Sequence, residues 1–342
     1  MKDTQKSDNF RKILIQSQKI TLITHLNPDG DAIGSLTAMG LFLEATGKIV
    51  TMITPNDFPA FLKWMPASDQ IINAEKKFQQ AHDALMDSDV VVYLDFNANH
   101  RAGNFSASLE AFPKLKVLMD HHPEPEDIFD LAFSEPSASS ASEIVYDILT
   151  LLNEPDMPLS KAVASSLYTG IMTDTGSFNY ACKDPDLYPK IGKLVEFGAN
   201  PEIIHTLVYN TNTENRTRFL GFALLNRLVV LKEYKTAYIY LTKYDLRRFH
   251  YRVGDTEGFV NYTLSLKGIN LGVLFTERVG HIKLSLRSNG DFSVNDFARN
   301  HFTGGGHKNA AGAESKMDLN DTIQMFRDLL PIYTSQLNAD VD

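Results

Sequence analysis

Four groups of acidic and imidazole side chains stand at positions where strands should end. Each follows or closes a short apolar run, at residues 20–24, 90–94, 117–119 and 166–172. Because open α/β sheets place their sites beyond the carboxyl ends of the strands, these side chains should converge on one crevice. The four groups are His25-Leu26-Asn27-Pro28-Asp29-Gly30-Asp31, Asp95, Asp120-His121-His122 and Asp174.

These residue types indicate a metal site. Aspartate and neutral imidazole suit hard or borderline divalent cations such as Mn²⁺. A proline and a glycine give the first group a sharp turn, so that Asp29 and Asp31 can point to different metals while His25 binds one of them. Asp95 has two oxygens and can bridge a metal pair. The pattern predicts a two-metal hydrolase.

Each residue taken singly has a simpler explanation. Any one of the aspartates could be a helix N-cap, and Asp31 is well placed for that role. The run Asp120-His121-His122 is harder to explain without metal or substrate, because unpaired buried charge is strongly disfavoured. Two metals about 3.5–4 Å apart would activate a water for in-line attack on a phosphoryl group. We assign His122 to hold the phosphate or to donate to the leaving group.

Composition limits the class of protein. The chain has 342 residues, 43% of them hydrophobic and 22% charged, which is ordinary for a globular protein with two domains. The net charge of −9 argues against a broad basic surface that coats nucleic acid, although a small phosphate ester remains a possible substrate. A single cysteine, Cys182, excludes an intramolecular disulfide and a cysteine-based zinc cluster. We find no membrane span or secretory signal and expect a cytoplasmic enzyme.

The apolar runs predict two kinds of domain. Strands at residues 20–24, 49–53, 71–72, 90–94 and 116–119 alternate with helices at 31–45, 81–86, 140–152 and 162–172, the last leading to Asp174. This alternation is typical of a mostly parallel sheet with helices on both faces. We predict a catalytic α/β domain at residues 1–185, a helical connector at 186–230 and a smaller α+β domain at 231–342, with strands at 236–241, 271–276 and 281–287 and a helix from Phe292.

A glycine-rich segment marks the C-terminal part of the chain. It reads Gly304-Gly305-Gly306-His307-Lys308-Asn309-Ala310-Ala311-Gly312. Three glycines in a row could form a loop whose N–H groups cradle an anion, with His307 and Lys308 adding a donor and a charge. A flexible turn is the alternative, and the spacing is not that of a Walker A loop.

Arg278 and Arg287 are candidates for phosphate contacts. Phe259, Asn261 and Tyr262 lie in a segment where an aromatic ring could stack on a base or pack in the core.

These motifs together resemble the DHH phosphoesterase superfamily and, within it, the NrnA-like group of oligoribonucleases and phosphatases of 3′-phosphoadenosine 5′-phosphate (pAp). The resemblance covers nearly the whole chain. It includes the first motif from His25 to Ser35, Leu94-Asp95, the Asp120-His121-His122 run that gives the family its name, Thr173-Asp174-Thr175-Gly176 and the glycine segment at residues 304–312.

The resemblance implies a role for each motif residue. His25, Asp29 and Asp95 would hold one Mn²⁺. Asp31, Asp95, His121 and Asp174 would hold the other, with Asp95 shared. His122 would contact the phosphate, and Asp120 would orient a histidine. The substrate would be bound in a cleft between the two domains by Arg101, Arg287, Gly305, Gly306 and His307.

The function expected from this resemblance is hydrolysis of short RNA oligonucleotides to mononucleotides and dephosphorylation of pAp, by a water that two Mn²⁺ ions activate. Mg²⁺ or Co²⁺ could substitute, and the chain could form a homodimer. Three alternatives stay open at this point: a soluble phosphodiesterase for cyclic or linear dinucleotides, a manganese inorganic pyrophosphatase, and a non-catalytic nucleotide sensor.

Overall fold

The computed structural model describes residues 4–153, 159–179 and 182–339. The chain divides into two compact units, Met1–Thr211 and Asn212–Asp342. No helix in these described ranges is both long and apolar enough to cross a membrane.

The first unit is built on a six-stranded sheet in which every pair of neighbours is parallel, with the order β3-β2-β1-β4-β5-β6. The strands are β1 Lys19–Ile23, β2 Ile49–Thr54, β3 Ile72–Asn73, β4 Val90–Leu94, β5 Leu115–Asp120 and β6 Leu131–Ser134. The predicted parallel sheet is confirmed, and β6 is a strand that the sequence patterns did not reveal.

Helices cover both faces of this sheet. Along β4, Val90, Val92 and Leu94 belong to one apolar cluster, and Val91 and Tyr93 belong to another. Burial on both faces explains why the strand is a continuous apolar run. The helices are α1 Thr4–Gln16, α2 Gly30–Ala45, α3 Phe78–Asp87, α4 Ser106–Ala111, α5 Ala141–Leu152, α6 Lys161–Asp174, α7 Leu187–Glu196 and α8 Pro201–Tyr209.

One expectation about these elements is wrong. Asp174 does not follow a strand: it is the last residue of α6, as the helical spacing of residues 162–172 suggested. Residues 166–172 contain no charged side chain, because this part of the helix is buried on all sides. A helix without an exposed polar face cannot be distinguished by its sequence pattern from a buried strand.

Glycines let α2 and α6 pack closely. A Cβ atom on Gly34 would lie 2.8 Å from the carbonyl oxygen of Ser166 and 2.9 Å from the Cα of Gly170. Side chains larger than hydrogen would therefore force the two helices apart. The close crossing carries Asp31, near the start of α2, toward Asp174, at the end of α6.

Gly34→Ala tests this packing. We expect the variant to lose about 1–3 kcal/mol of unfolding free energy, because the added methyl group meets backbone atoms that cannot rotate away. Gly192→Ala is the matched control. Gly192 is an exposed position within α7 with no atom within 4 Å of an added Cβ, and alanine there should stabilise the helix by about 0.5–1 kcal/mol. Urea unfolding of both variants measures the difference, and equal stabilities would contradict the proposed role of Gly34.

The second unit contains a mixed six-stranded sheet with the order β11-β12-β10-β9-β8-β7, in which only β8 and β9 are parallel. The strands are β7 Leu228–Leu231, β8 Thr236–Leu241, β9 Leu271–Glu277, β10 Ile282–Ser288, β11 Thr303–His307 and β12 Ala310–Ser315. The helices are α9 Glu214–Asn226, α10 Lys243–Arg248, α11 Asn261–Leu264, α12 Val294–His301, α13 Leu319–Leu329 and α14 Thr334–Leu337. This confirms the predicted second α+β domain.

The predicted glycine loop is a strand instead. Residues 303–307 form β11 at the edge of the sheet, paired with β12. A Cβ on Gly304 would overlap the carbonyl oxygen of Gly312, so glycine is needed for the close approach of the two strands. The N–H of Gly306 donates to the side-chain oxygen of Asn295 at 2.9 Å, so it does not form an open anion cradle.

Candidate metal centre

The elements of the first unit bring the predicted ligands to the carboxyl edge of its sheet. His25 and Asp29 lie in the loop between β1 and α2, and Asp95 directly follows β4. β5 ends at Asp120, and His121 comes next. Since β1, β4 and β5 are neighbours in the sheet, their ends share one edge. α2 and α6 add the two remaining carboxylates, Asp31 and Asp174.

Imidazole and carboxylate atoms meet at close range in this unit. The Nε2 atom of His121 lies 3.5 Å from Asp95 Oδ1, 3.5 Å from Asp174 Oδ2 and 3.9 Å from Asp31 Oδ2. The Nε2 atom of His25 lies 3.4 Å from Asp95 Oδ2. Ligand atoms of His25, Asp29 and Asp95 are all within 4.8 Å of one another, as are those of Asp31, Asp95 and His121. Asp95 is common to both sets.

Backbone carbonyls set the orientation of the two imidazoles. With its proton on Nδ1, His25 donates to the carbonyl of Leu26 at 2.9 Å. His121 likewise donates from Nδ1 to the carbonyl of Ala138 at 3.2 Å. Both rings therefore turn Nε2 toward the carboxylates, which is the arrangement that metal-bound histidines adopt.

Asp95 lies at the centre of the cluster. Its side chain is 3% exposed, and its backbone has φ +65°, a left-handed conformation that is uncommon for a residue other than glycine. Among the described residues its buried Oδ1 atom has no hydrogen-bond donor. Burial would raise the pKa of this carboxyl, but the neighbouring imidazoles of His121 and His25 lower it well below its usual value. An ionised, buried oxygen without a donor fits a cation ligand.

Asp31 is buried and hydrogen-bonded at the start of another helix. Its two oxygens accept from the backbone N–H groups of Ala141 and Ser142, at 2.6 and 2.8 Å. Burial, followed by the charges of Asp95 and Asp174, raises the pKa of Asp31 well above its usual value. A divalent cation bound among these carboxylates would offset their mutual repulsion.

The N-cap of α2 is Asp29, so the alternative explanation of Asp31 as a helix cap does not apply. Asp29 Oδ1 accepts from the N–H groups of Asp31 and Ala32, at 3.0 and 3.1 Å. The helix begins at Gly30, so its cap lies two residues before Asp31.

His122 belongs to a separate hydrogen-bonded chain beside the cluster. Its Nδ1 donates to Asp120 Oδ1 at 2.7 Å, and its Nε2 accepts from the guanidinium of Arg101 at 3.2 Å. Burial lowers the pKa of His122, and the nearby charge of Arg101 lowers it further against the opposing effect of Asp120. His122 is therefore held between an acceptor, Asp120, and a donor, Arg101.

The other predicted substrate residues lie in the second unit. Arg287, on β10, and His307, on β11, are both paired with Ala310 of β12, so they flank the same position. Gly305 and Gly306 precede His307 on the same strand. Phe259 is fully buried, which supports its assignment to the core, and Tyr262 is 45% exposed. Arg278 lies over the ring of Tyr251 at 4.2 Å.

Sequence reasoning missed the segment that precedes α5. Its carbonyl at Ala138 orients His121, and its N–H groups at Ala141 and Ser142 hold Asp31. Backbone groups carry no side-chain signature. The available signal was Ser140 followed three residues later by Glu143, a spacing typical of a helix N-terminus.

Comparisons with known proteins agree with this geometry. The model of the DHH family, N-terminal domain, matches residues 19–171, and the DHHA1 domain matches residues 234–330. The chain is 28% identical over 299 residues to the bifunctional oligoribonuclease and PAP phosphatase NrnA of Bacillus subtilis, covering 86% of this chain and 88% of that protein. It is 26% identical over 307 residues to the protein of the same name from Thermus thermophilus, covering 89% and 87%.

A solved structure is similar along almost the whole chain. It is the crystal structure of an exopolyphosphatase-related protein from Bacteroides fragilis, with a TM-score of 0.92, 39% sequence identity and 98% coverage of both chains. The protein described here therefore belongs to the DHH family and carries a DHH domain followed by a DHHA1 domain. The predicted resemblance is confirmed.

Asp95→Asn tests whether the cluster binds cations. We expect the variant to lose Mn²⁺ binding, because an amide is a poor substitute for a carboxylate that both ligand sets share. Asp89→Asn is the matched control at the opposite end of β4, where the carboxylate of Asp89 accepts from the N–H groups of Gln18 and Lys19. Calorimetric titration of the chelator-treated proteins measures binding. Unchanged Mn²⁺ affinity in Asp95→Asn would contradict the shared role.

Proposed function

We propose that this DHH-family protein is a hydrolase that cleaves short RNA oligonucleotides to mononucleotides and dephosphorylates pAp. The observation that carries the proposal is the set of six ligand residues that includes Asp95 at its centre, in which carboxylates and Nε2 atoms face one another at 3.4–3.9 Å. The names of the relatives from Bacillus subtilis and Thermus thermophilus, both oligoribonucleases and PAP phosphatases, supply the substrate classes.

The proposed cofactor is a pair of Mn²⁺ ions, for which Mg²⁺ or Co²⁺ could substitute. His25, Asp29 and Asp95 would hold one ion, and the other would be held by Asp31, Asp95, His121 and Asp174. Such a pair lowers the pKa of a water and neutralises charge on the phosphoryl oxygens. The oxygen and imidazole donors of the cluster suit these cations.

His122 and Arg101 would bind the phosphoryl group beside the cations. Asp120 accepts the Nδ1 proton of His122 and so fixes the ring. Nε2 of His122 lies next to the guanidinium of Arg101. An incoming phosphate oxygen would accept from the guanidinium, and from His122 when its Nε2 carries a proton. Arg101 carries a delocalised, planar cation that can bind a phosphate group in a defined, bidentate geometry.

Arg287, Gly305, Gly306 and His307 of the DHHA1 domain would bind the nucleotide. Arg287 and His307 lie on two strands that flank Ala310, so one small ligand can touch both. The net charge of −9 also favours short substrates, because long polyanions gain affinity from extended basic surfaces.

A substrate panel tests the proposal. The panel contains a dinucleotide, a five-nucleotide RNA, pAp, a cyclic dinucleotide and pyrophosphate, each assayed with Mn²⁺ and compared by kcat/KM. We expect the short RNAs and pAp to be hydrolysed and a chelator to abolish the activity, because every reaction needs the cation pair. Preference for the cyclic dinucleotide or for pyrophosphate would replace the proposed substrates, and activity that survives the chelator would refute the mechanism.

His307→Ala tests the role of the second unit. We expect KM for a dinucleotide to rise about 10–100-fold, since one hydrogen bond to a charged group contributes roughly 1.5–3 kcal/mol, while Mn²⁺ affinity stays unchanged. His281→Ala is the control, because His281 also lies in this unit, next to β10, and faces Glu314 at 3.8 Å. Identical kinetics for wild type and His307→Ala would remove β11 from the substrate site.

A further inference from the structure

The segment at residues 138–142 contacts two of the proposed metal ligands through backbone groups and through the hydroxyl of Ser142, which donates to the backbone carbonyl of Asp31 at 3.4 Å. The carbonyl of Ala138 accepts from Nδ1 of His121 at 3.2 Å. The N–H groups of Ala141 and Ser142 donate to the two oxygens of Asp31 at 2.6 and 2.8 Å. The position of this segment therefore sets the orientation of both side chains.

Glu143 fixes the segment in place. One of its carboxylate oxygens accepts from the N–H of Ser139 at 2.8 Å, and its own N–H donates to the hydroxyl of Ser140 at 3.0 Å. These two bonds close the turn that begins α5. The segment is buried, with Ser139 at 3% exposure and Ser140 at 0%, so its backbone has no water to replace a lost contact.

Lys190 holds Glu143 from a neighbouring helix. Its ammonium lies 2.6 Å from the other carboxylate oxygen of Glu143 and 2.8 Å from Asp147, one turn further along α5. The side chain of Lys190 is 17% exposed and that of Glu143 is 6% exposed. Lys190 belongs to α7, outside residues 19–171 that the DHH domain model matches.

We propose that Glu143 and Lys190 are positioning residues for one of the two cation sites, the one formed by Asp31 and His121. This inference rests on the proposed function, because it requires the metal pair. Lys190 contacts Glu143, Glu143 contacts the backbone of residues 138–142, and this backbone contacts the two ligands. Orienting groups of this kind change metal affinity about 10–100-fold when they are removed.

The other cation site has separate supports. The ring of His25 is oriented by the carbonyl of Leu26, and the N–H of Leu26 donates to the carbonyl of Arg101. Asp29 accepts from the first turn of α2. None of these described contacts involves Glu143 or Lys190, so the loss of either residue should affect one site and spare the other.

Titration of Mn²⁺ into the chelator-treated full-length chain tests the inference. For wild type we expect two ions per chain. For Lys190→Met and Glu143→Ala we expect one ion to bind as in wild type and the other to bind 10–100-fold more weakly. Glu143→Gln keeps an oxygen that can accept from the N–H of Ser139, so we expect a smaller loss of Mn²⁺ affinity in this variant. Lys193→Met is the matched control, because Lys193 is a lysine of the same helix that pairs with Glu196 at the surface.

Two further readouts separate positioning from a general loss of structure. Electron paramagnetic resonance should show the signal of a coupled Mn²⁺ pair in wild type and of isolated Mn²⁺ in Lys190→Met. Excess Mn²⁺ should restore kcat in the variant, with the KM for substrate unchanged. If Lys190→Met does not fold, Glu143→Gln and Lys190→Arg carry the same test with smaller changes.

Three results would overturn the inference. Two wild-type binding steps in every variant would show that the segment does not depend on Lys190. Equal weakening of both steps would show a general structural role. Wild-type protein that binds no Mn²⁺ would refute the proposed metal centre itself, which is a different failure from loss of selectivity in the variants.

Discussion

Three carboxylates are crowded around His121, and the site must compensate for their negative charge. Asp31 and Asp95 are buried, Asp174 is partly exposed, and all three carboxylates lie within 3.9 Å of one imidazole nitrogen. Buried carboxylates this close to one another cannot all stay ionised without a compensating positive charge. Accordingly, the pKa of Asp31 is raised and that of Asp95 is lowered. Divalent cations would neutralise these carboxylates, which supports the proposed metal centre.

The fold holds these ligands with backbone groups and close helix contacts. Carbonyls orient His25 and His121, and helix N–H groups orient Asp31. Gly34 lets α2 approach α6 and so brings Asp31 toward Asp174. The side chains of His25, His121 and Asp31 are therefore restrained without a cation, and this reduces the cost of ordering them on binding.

The sequence was most informative where chemistry and periodicity coincided. The ends of β1, β4 and β5 could be predicted because apolar runs stop directly before His25, Asp95 and Asp120-His121-His122, and parallel strands end at a common edge. The helical origin of Asp174 conflicted with the strand expectation, since full burial hides a helix's polar face. The strand at residues 303–307 was missed because glycine usually disfavours strands, and only the close approach of β12 explains it. Contacts made by the backbone, such as those of Ala138, could not be read from side-chain types.

Anomalous diffraction from crystals grown with Mn²⁺ would show whether the cluster binds a pair of cations. We expect two manganese peaks in each chain, with the carboxylate of Asp95 between them, His25 beside one and His121 beside the other. A single peak, or peaks that do not touch Asp95, would contradict this expectation.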